Sequence, residues 1–357
     1  MRTLRRYLAT EIVAATALVF AALVMLFAFF DLVEQIKDLG RGAYTLRRIL
    51  IYVLLSVPDH VYELFPVAAL IGTLFALAQL VAGSEYTVMR TSGVSTARFA
   101  ATLAAIGSLF AVLTFVIGEF IAPPAEQLAQ RVRSQAITGL VAQEFRSGLW
   151  IKDDRSFINV VEVLPDSTLR GVRIYEFDNE YRLLSISYAR HGAYQSDRHW
   201  LLRNVTQTRF ETMKTSTREI AEAKWRSVLE PDLINVLLVK PEQMSALSLY
   251  SYTQHLKENR QKALRYEIAL WTKLTYPLAV LVMMVLALPF AHFQGRQTGV
   301  GAKIFAGIML GIVFHFLNRL FSHLGLLNDW PSLVSALMPT VTFLTVAVGM
   351  MWWQERR

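Results

Sequence analysis

Two hydrophobic patterns divide the chain. Apolar runs of roughly twenty residues, enough to cross a hydrocarbon core as helices, occupy the first and last thirds, while the middle third alternates apolar and polar residues with a period of two. A first span is predicted from about Ile12 to Val33, behind the basic cluster Arg2, Arg5 and Arg6. It lacks a small-x-small cleavage pattern before Asp31, so it reads as a retained span rather than a removed signal. Leu46 to Val81 is too long for one crossing and carries Pro58 and Pro66, where a kink or break is expected. A third span runs from about Phe99 to Ile121, and Ala125 to Ile137 then reads as a polar helix.

From about Gly139 to Val239 short strand-like runs follow one another: Phe157 to Val161, Val172 to Tyr175, Leu184 to Tyr188 and Trp200 to Val205. Turn formers such as Pro165-Asp166-Ser167 and Asp178-Asn179-Glu180 separate them. An antiparallel sandwich or jelly roll of about 100 residues is expected. After Pro241 a polar helix from about Leu247 to Arg265 leads to three more spans, near Ile268 to Phe290, Val300 to Leu320 and Leu333 to Trp353. The predicted fold is therefore a six-span helical membrane protein in a three-plus-three order with an inserted all-β, jelly-roll-like domain. The boundaries fall at 1–124, 125–265 and 266–357.

Between spans two and three lies Ser84-Glu85-Tyr86-Thr87-Val88-Met89-Arg90-Thr91-Ser92-Gly93. Ser84 is a suitable N-cap, Glu85 sits where the helix dipole favours a carboxylate, and Gly93 suits the left-handed position after a helix. About two turns of helix are expected, too short to persist in water without something to pack on. Exposed Val88 and Met89 then imply self-packing or a partner, against the plainer reading of a tight turn between two spans.

Composition narrows the function classes. With 54% hydrophobic and 18% charged residues, the chain is too apolar for an ordinary soluble protein and too polar to be membrane throughout. The net charge of +8 comes from scattered basic residues that form no nucleic-acid motif. The absence of cysteine excludes thiol catalysis, disulfides and Cys-based metal sites. No phosphate-cradling glycine loop occurs, so ATP hydrolysis is not expected of this chain. Lys and Arg in short segments favour one side: Arg2, Arg5, Arg6, Arg90, Arg98, Arg296, Lys303, Arg356 and Arg357 against Lys37, Arg41, Arg47 and Arg48. That bias predicts both termini in the cytoplasm and the β domain outside.

Several ionisable residues lie near span ends. Glu34, Lys37 and Arg41 share one face if the first helix continues, either as a solvated end or as a basic ledge for an anionic headgroup. Asp59, His60 and Glu63 lie between the two prolines; a single His-Glu pair is a weak metal signal, and an aqueous interface is the preferred reading. Arg131 and Arg133 follow the third span. His315, Arg319 and His323 recur every four residues on the fifth, where Arg319 either snorkels or meets a phosphate. Ile308, Ile312 and Phe316 give that helix apolar surface for lipid or helix packing, and less readily for substrate tails.

The stretches Leu55-Ser56-Val57-Pro58, Phe65 to Gly72, Ser84-Glu85 through Met89 with Gly93, Ile117-Gly118-Glu119 with Ala122-Pro123, and Leu149 to Asp153 resemble the permease subunits of the lipopolysaccharide export ABC transporter, the LptF/LptG family. Val33 to Lys37 and Gly40 to Tyr44 bring the chain closer to the G type. The resemblance covers the whole chain and is most specific in span two and the loop after it.

It implies pairing with an F-type permease paralogue around a cavity in the Gram-negative inner membrane. Two copies of a cytoplasmic ATPase that binds ATP and Mg would drive the pair, and a single-span partner carries its own periplasmic jelly roll. Lipopolysaccharide would be extracted from the outer leaflet and passed along stacked periplasmic jelly rolls. Carried over residue by residue, Glu85, Tyr86, Val88, Met89, Arg90 and Gly93 would form the ATPase-coupling helix. Lys37, Arg41, Arg131, Arg133 and Arg319 would meet the headgroup, and Phe65, Ile308, Ile312 and Phe316 the acyl chains. Asp31 and Asp38 depart from the family pattern, standing where relatives can carry further lysines. No catalytic residue, metal or cofactor is expected in the chain.

Two rivals remain at this stage. A membrane-anchored scaffold would recruit partners through the β domain and move nothing, leaving charge reversal at Glu85 silent. An intramembrane lipid-directed enzyme would use Asp59, His60 and Glu63 as acid, base or metal ligands, would need each of the three, and would work without ATP; no second cluster of ligands in the sequence completes such a site.

Overall fold

The computed structural model describes residues 2–137, 148–163, 168–196, 199–211, 214–227, 241–258, 261–293 and 300–356. Among these, six helices are long and apolar enough to cross a membrane. The membrane half begins with α1 (Arg2–Ile36), α2 (Leu46–Ala82), the short α3 (Glu85–Thr91) and α4 (Thr96–Val116). A π turn (Ile117–Ile121) joins α4 to α5 (Ala122–Ala136). After the β domain come α6 (Ala246–Glu258), α7 (Leu264–Phe293), α8 (Val300–Leu327) and α9 (Ser332–Glu355).

Helix α2 does not break at its prolines: Pro58 and Pro66 both lie inside one helix of 37 residues. Neighbouring helices cover the turns that the missing N–H groups loosen, as membrane interiors allow. At 1.5 Å per residue α2 is about 55 Å long, well beyond the roughly 30 Å hydrocarbon core. Its first half packs on α5. There Tyr44, Ile49, Ala136 and Ile137 form a small separate core. The third span likewise continues without a stop, because the π turn feeds directly into α5, with Pro123 and Pro124 in its first turn where proline is tolerated.

The core is built on α2 and α7, whose most apolar windows are 78% and 72% buried; those of α1 and α8 are only 11% and 17% buried. Phe65, Leu70, Leu74 and Leu77 of α2 meet Val280, Met283, Leu286 and Ala287 of α7, with Phe99, Leu103 and Phe110 of α4 closing one side. Helices α1 and α8 both pack on α2 and leave most of their own apolar surface outward. Close approach of α1 depends on Gly72: a Cβ there would lie 2.4 Å from the Thr16 Cα.

The β domain is one antiparallel sheet in strand order β1 to β6: β1 (Leu149–Asp153), β2 (Ser156–Val163), β3 (Leu169–Phe177), β4 (Leu183–Ser196), β5 (His199–Glu211) and β6 (Lys214–Arg226). Each described strand pairs with its sequence neighbour, so the order is a meander. Alternation places Ile158 and Val160, Val172 and Ile174, and Leu202 on one face around the fully buried Trp200, and the left-handed Asn204 shifts the phase of β5 so that Val205 joins them with Ala189 opposite it. The sheet rolls. Leu149 of β1 and Ile220, Ala223 and Trp225 of β6 join the same cluster, and the Ser227 hydroxyl donates to Asp153 Oδ2 at 2.6 Å, past the ends of opposite edge strands. The inserted antiparallel β domain is what the sequence predicts; the expected sandwich or jelly-roll order is replaced, among the described strands, by a single six-stranded meander.

Four of the six strands coincide with the predicted runs; β1 and β6 add to them. The predicted polar helix before span four is two pieces, α6 and the first turn of α7. Expected features at Pro165 to Ser167 and Arg296 lie outside the described residues.

Candidate functional site

Helix α3 closes one end of the bundle. Gly93 follows it at φ +90°, the left-handed conformation that stops a helix. Ser84 differs from expectation: it too is left-handed, at φ 64°, and its hydroxyl makes no capping hydrogen bond. The turn from α2 is too tight for the extended geometry that a capping serine needs.

Glu85, in the first turn and exposed, instead accepts a 3.0 Å hydrogen bond from the Tyr7 hydroxyl. That contact ties α3 to α1, the least covered span. Tyr86 points the other way, buried against Phe99 with ring centroids 4.8 Å apart, and burial raises its phenol pKa. Met89 is half-buried against the core, which corrects its expected exposure. Tyr86 and Met89 therefore anchor the helix. Val88 is 61% exposed and, with Glu85 and Arg90, makes the outward surface.

One hydrocarbon thickness away lies a belt of ionisable groups. Counting from Ala82, Glu63 is about 29 Å along α2, and Arg319 is about the same distance from the start of α8. His60 Nε2 lies 2.5 Å from Asp31 Oδ2 of α1. Gln243 donates to Asp59 Oδ2 at 3.4 Å. Glu63 Oε1 lies 3.0 Å from His315 Nε2 and 3.9 Å from an Arg319 nitrogen, and the Tyr276 hydroxyl donates to the Glu63 carbonyl at 2.6 Å. Asp59, His60 and Glu63 thus face three different partners. They do not converge as the acid, base or ligands of an enzyme would.

The belt continues on the π turn and on α7. Glu119, reoriented by the π turn, accepts the backbone N–H groups of Ala246 at 2.7 Å and Leu247 at 3.3 Å, capping α6. Lys273 is 6% exposed, donates to the Met244 carbonyl and sits 5.4 Å from the Tyr62 ring centroid. A lysine inside an apolar run was the available signal for that position.

Above the belt, α1 ends at Ile36 and the chain turns through Gly40 and Gly42 at φ +83° and +58°. Glu34, Lys37 and Arg41 therefore do not share a helical face. Asp38 is the hub: Arg41 lies 2.6 Å and Arg133 3.0 Å from its carboxylate. Tyr44 beneath it is buried and donates to Gln35 at 2.9 Å. Lys37 and Arg131 are exposed beside this group. The two unexpected acids, Asp31 and Asp38, are thus matched internally, by His60 and by the two arginines.

The apolar candidates separate. Phe65 is 6% exposed, locked between Phe20 and Phe110 at 5.2 and 5.5 Å, and belongs to the core instead of a lipid-facing surface. Ile308, Ile312 and Phe316 are 40%, 56% and 63% exposed and line one face of α8 that leads to Arg319. On α1, Leu18, Met25, Phe29 and Phe30 are similarly outward.

Among the described residues, six helices able to span a membrane and an inserted antiparallel β domain define a helical membrane protein with an inserted β domain, with the exposed Glu85 at one end of the bundle and the Asp38, Arg41 and Arg133 group at the other. Residues 6–353 match the family described as lipopolysaccharide export system permease LptF/LptG, and the chain belongs to that family. It is 33% identical over 350 residues to the lipopolysaccharide export system permease protein LptG of Escherichia coli K12, covering 98% of this chain and 97% of that protein. It is 31% identical over 354 residues to the protein of the same description from Haemophilus influenzae, covering 99% and 98%.

Proposed function

We propose that the chain is the G-type permease of an inner-membrane ABC exporter that lifts lipopolysaccharide out of the bilayer, driven by a separate ATPase. The observation that carries this reading is the separation of two surfaces along the same helices. An exposed Glu85 helix, hydrogen-bonded to α1, lies about one hydrocarbon thickness from cations that top the poorly covered faces of α1 and α8. A motor docking on α3 pushes on the helix that borders the lipid path.

The basic bias of Arg5, Arg6, Arg90 and Arg98 supports a cytoplasmic α3 and termini, with the β domain in the periplasm. The outward apolar faces of α1 and α8 suit an F-type permease across a shared cavity. Lys37, Arg41, Arg131, Arg133 and Arg319 supply charge at headgroup height, and Ile308, Ile312 and Phe316 the apolar wall below. The rolled sheet, apolar inside, offers the trough that passes acyl chains onward to the jelly roll of a single-span partner.

Replacing Lys37, Arg133 and Arg319 together by alanine is expected to lower lipopolysaccharide release from reconstituted vesicles by about tenfold or more, while the purified complex keeps its subunits. Each lost charge-assisted phosphate contact is worth about 1.5 to 3 kcal/mol before screening. Unchanged release overturns the headgroup assignment.

A further inference from the structure

We propose that Glu63 is the resident counter-ion of a phosphate site formed by His315 and Arg319, and that a phosphorylated lipid headgroup takes its place there. The inference rests on the lipid-export reading above and adds a residue that tunes it.

Three observations meet at this point. First, the His315 imidazole and the Arg319 guanidinium both address the same carboxylate oxygen, at 3.0 Å and 3.9 Å. The longer contact is too wide for a hydrogen bond, and the Arg319 side chain is 78% exposed, so its planar fork has donors to spare for an incoming anion. Second, the backbone that carries Glu63 is held in place beside the pair. Tyr276 of α7 holds its backbone carbonyl at 2.6 Å, within a turn that Pro66 already deprives of one helical bond. Third, Phe316 stands one turn before Arg319, and Ile312 and Ile308 continue the stripe away from it, all outward. A molecule with an anionic head and apolar tails fits that sequence of surfaces; a free anion would use only its top.

The neighbouring ionisable groups are otherwise engaged, His60 with Asp31 and Asp59 with Gln243, which leaves the Glu63 carboxylate as the internal charge in direct competition for the pair. Competition of this kind weakens binding and speeds release, which suits a site that must hand its lipid on.

The test uses the full chain in bilayer discs of zwitterionic lipid, with fluorescent lipid A as probe, its phosphate-free counterpart as control and inorganic phosphate as competitor. Glu63→Gln is expected to tighten phosphorylated lipid A about tenfold and to leave the phosphate-free probe unchanged. In an Arg319→Gln background the gain disappears. Should Glu63→Gln fail to accumulate, Glu63→Asp, whose carboxylate is drawn back by one methylene, is read in its place and shifts affinity in the same direction.

Equal or weaker binding by the Glu63 variant overturns the proposal while the export reading stands. So does an equal gain on both probes, which would mark a structural effect. If inorganic phosphate shows the whole response and the lipid adds nothing, the ligand is the free ion and the lipid assignment falls. If the native chain binds both lipid probes equally, the headgroup reading itself fails and takes the proposal with it.

Discussion

Glu85→Lys is expected to cut ATP-driven lipopolysaccharide release at least about tenfold while the complex still assembles, because the substitution acts on a surface and not on the fold. Helix α3 is anchored from its other side, by buried Tyr86 tilted against Phe99 and by Met89 packed on the core, and neither contact involves Glu85. What changes is the outward face. A lysine in the first turn opposes the helix dipole, presents the wrong charge to a partner, and loses the oxygen that accepts from Tyr7. Truncating one member of a desolvated interfacial charge pair costs about 2 to 5 kcal/mol, and reversal no less. ATPase activity and lipid release measured together in vesicles check this outcome. Retention of both at native levels would return α3 to a plain connecting turn.

The second large effect concerns the helix pair beneath that surface. Gly72→Val is expected to lower the apparent melting temperature of the detergent-solubilised chain by several degrees. A Cβ at position 72 would meet Thr16 at its Cα and N, 2.4 and 2.7 Å away, and backbone cannot rotate aside as a side chain can. Helix α1 must retreat along an interface that includes the Phe20 and Phe65 rings, the Asp31 to His60 pair and the Tyr7 to Glu85 bond. Overpacking of this sort costs about 1 to 3 kcal/mol. Gly349→Val is the matched control, since a Cβ there has nothing within 4 Å. Equal melting of the two variants would show that α1 is not held by this contact.

The membrane spans were legible because twenty apolar residues have few other uses, and the insertion of a β domain was legible in the change of period between residues 139 and 239. Strand β6 escaped because Lys214 to Glu219 is exposed and wholly polar, and only Ile220, Ala223 and Trp225 at its far end turn toward the apolar cluster, too few to mark a strand of thirteen residues. The unbroken α2 was hidden for a related reason: proline marks a lost hydrogen bond, but whether the helix survives depends on neighbours that single-sequence reasoning does not see.

The site divides the same way. Glu85, Gly93, Arg133 and Arg319 could be singled out from charge and position, yet Phe65 and Met89, equally apolar on paper, turned inward. Pairings between distant segments were invisible, among them Tyr7 with Glu85, Asp31 with His60, and Asp38 with Arg133. These pairings change the meaning of the two acids that interrupt the basic ledge. Asp31 fastens α1 to α2, and Asp38 positions Arg41 and Arg133; neither simply dilutes the positive charge.

The most direct measurement is transfer of lipopolysaccharide from vesicles that contain this chain, an F-type permease, the ATPase and the single-span partner to a periplasmic acceptor, with and without ATP. ATP-dependent transfer that disappears when this chain is left out is the predicted result. A complex that assembles, hydrolyses ATP and moves no lipid would contradict the account and favour a membrane scaffold.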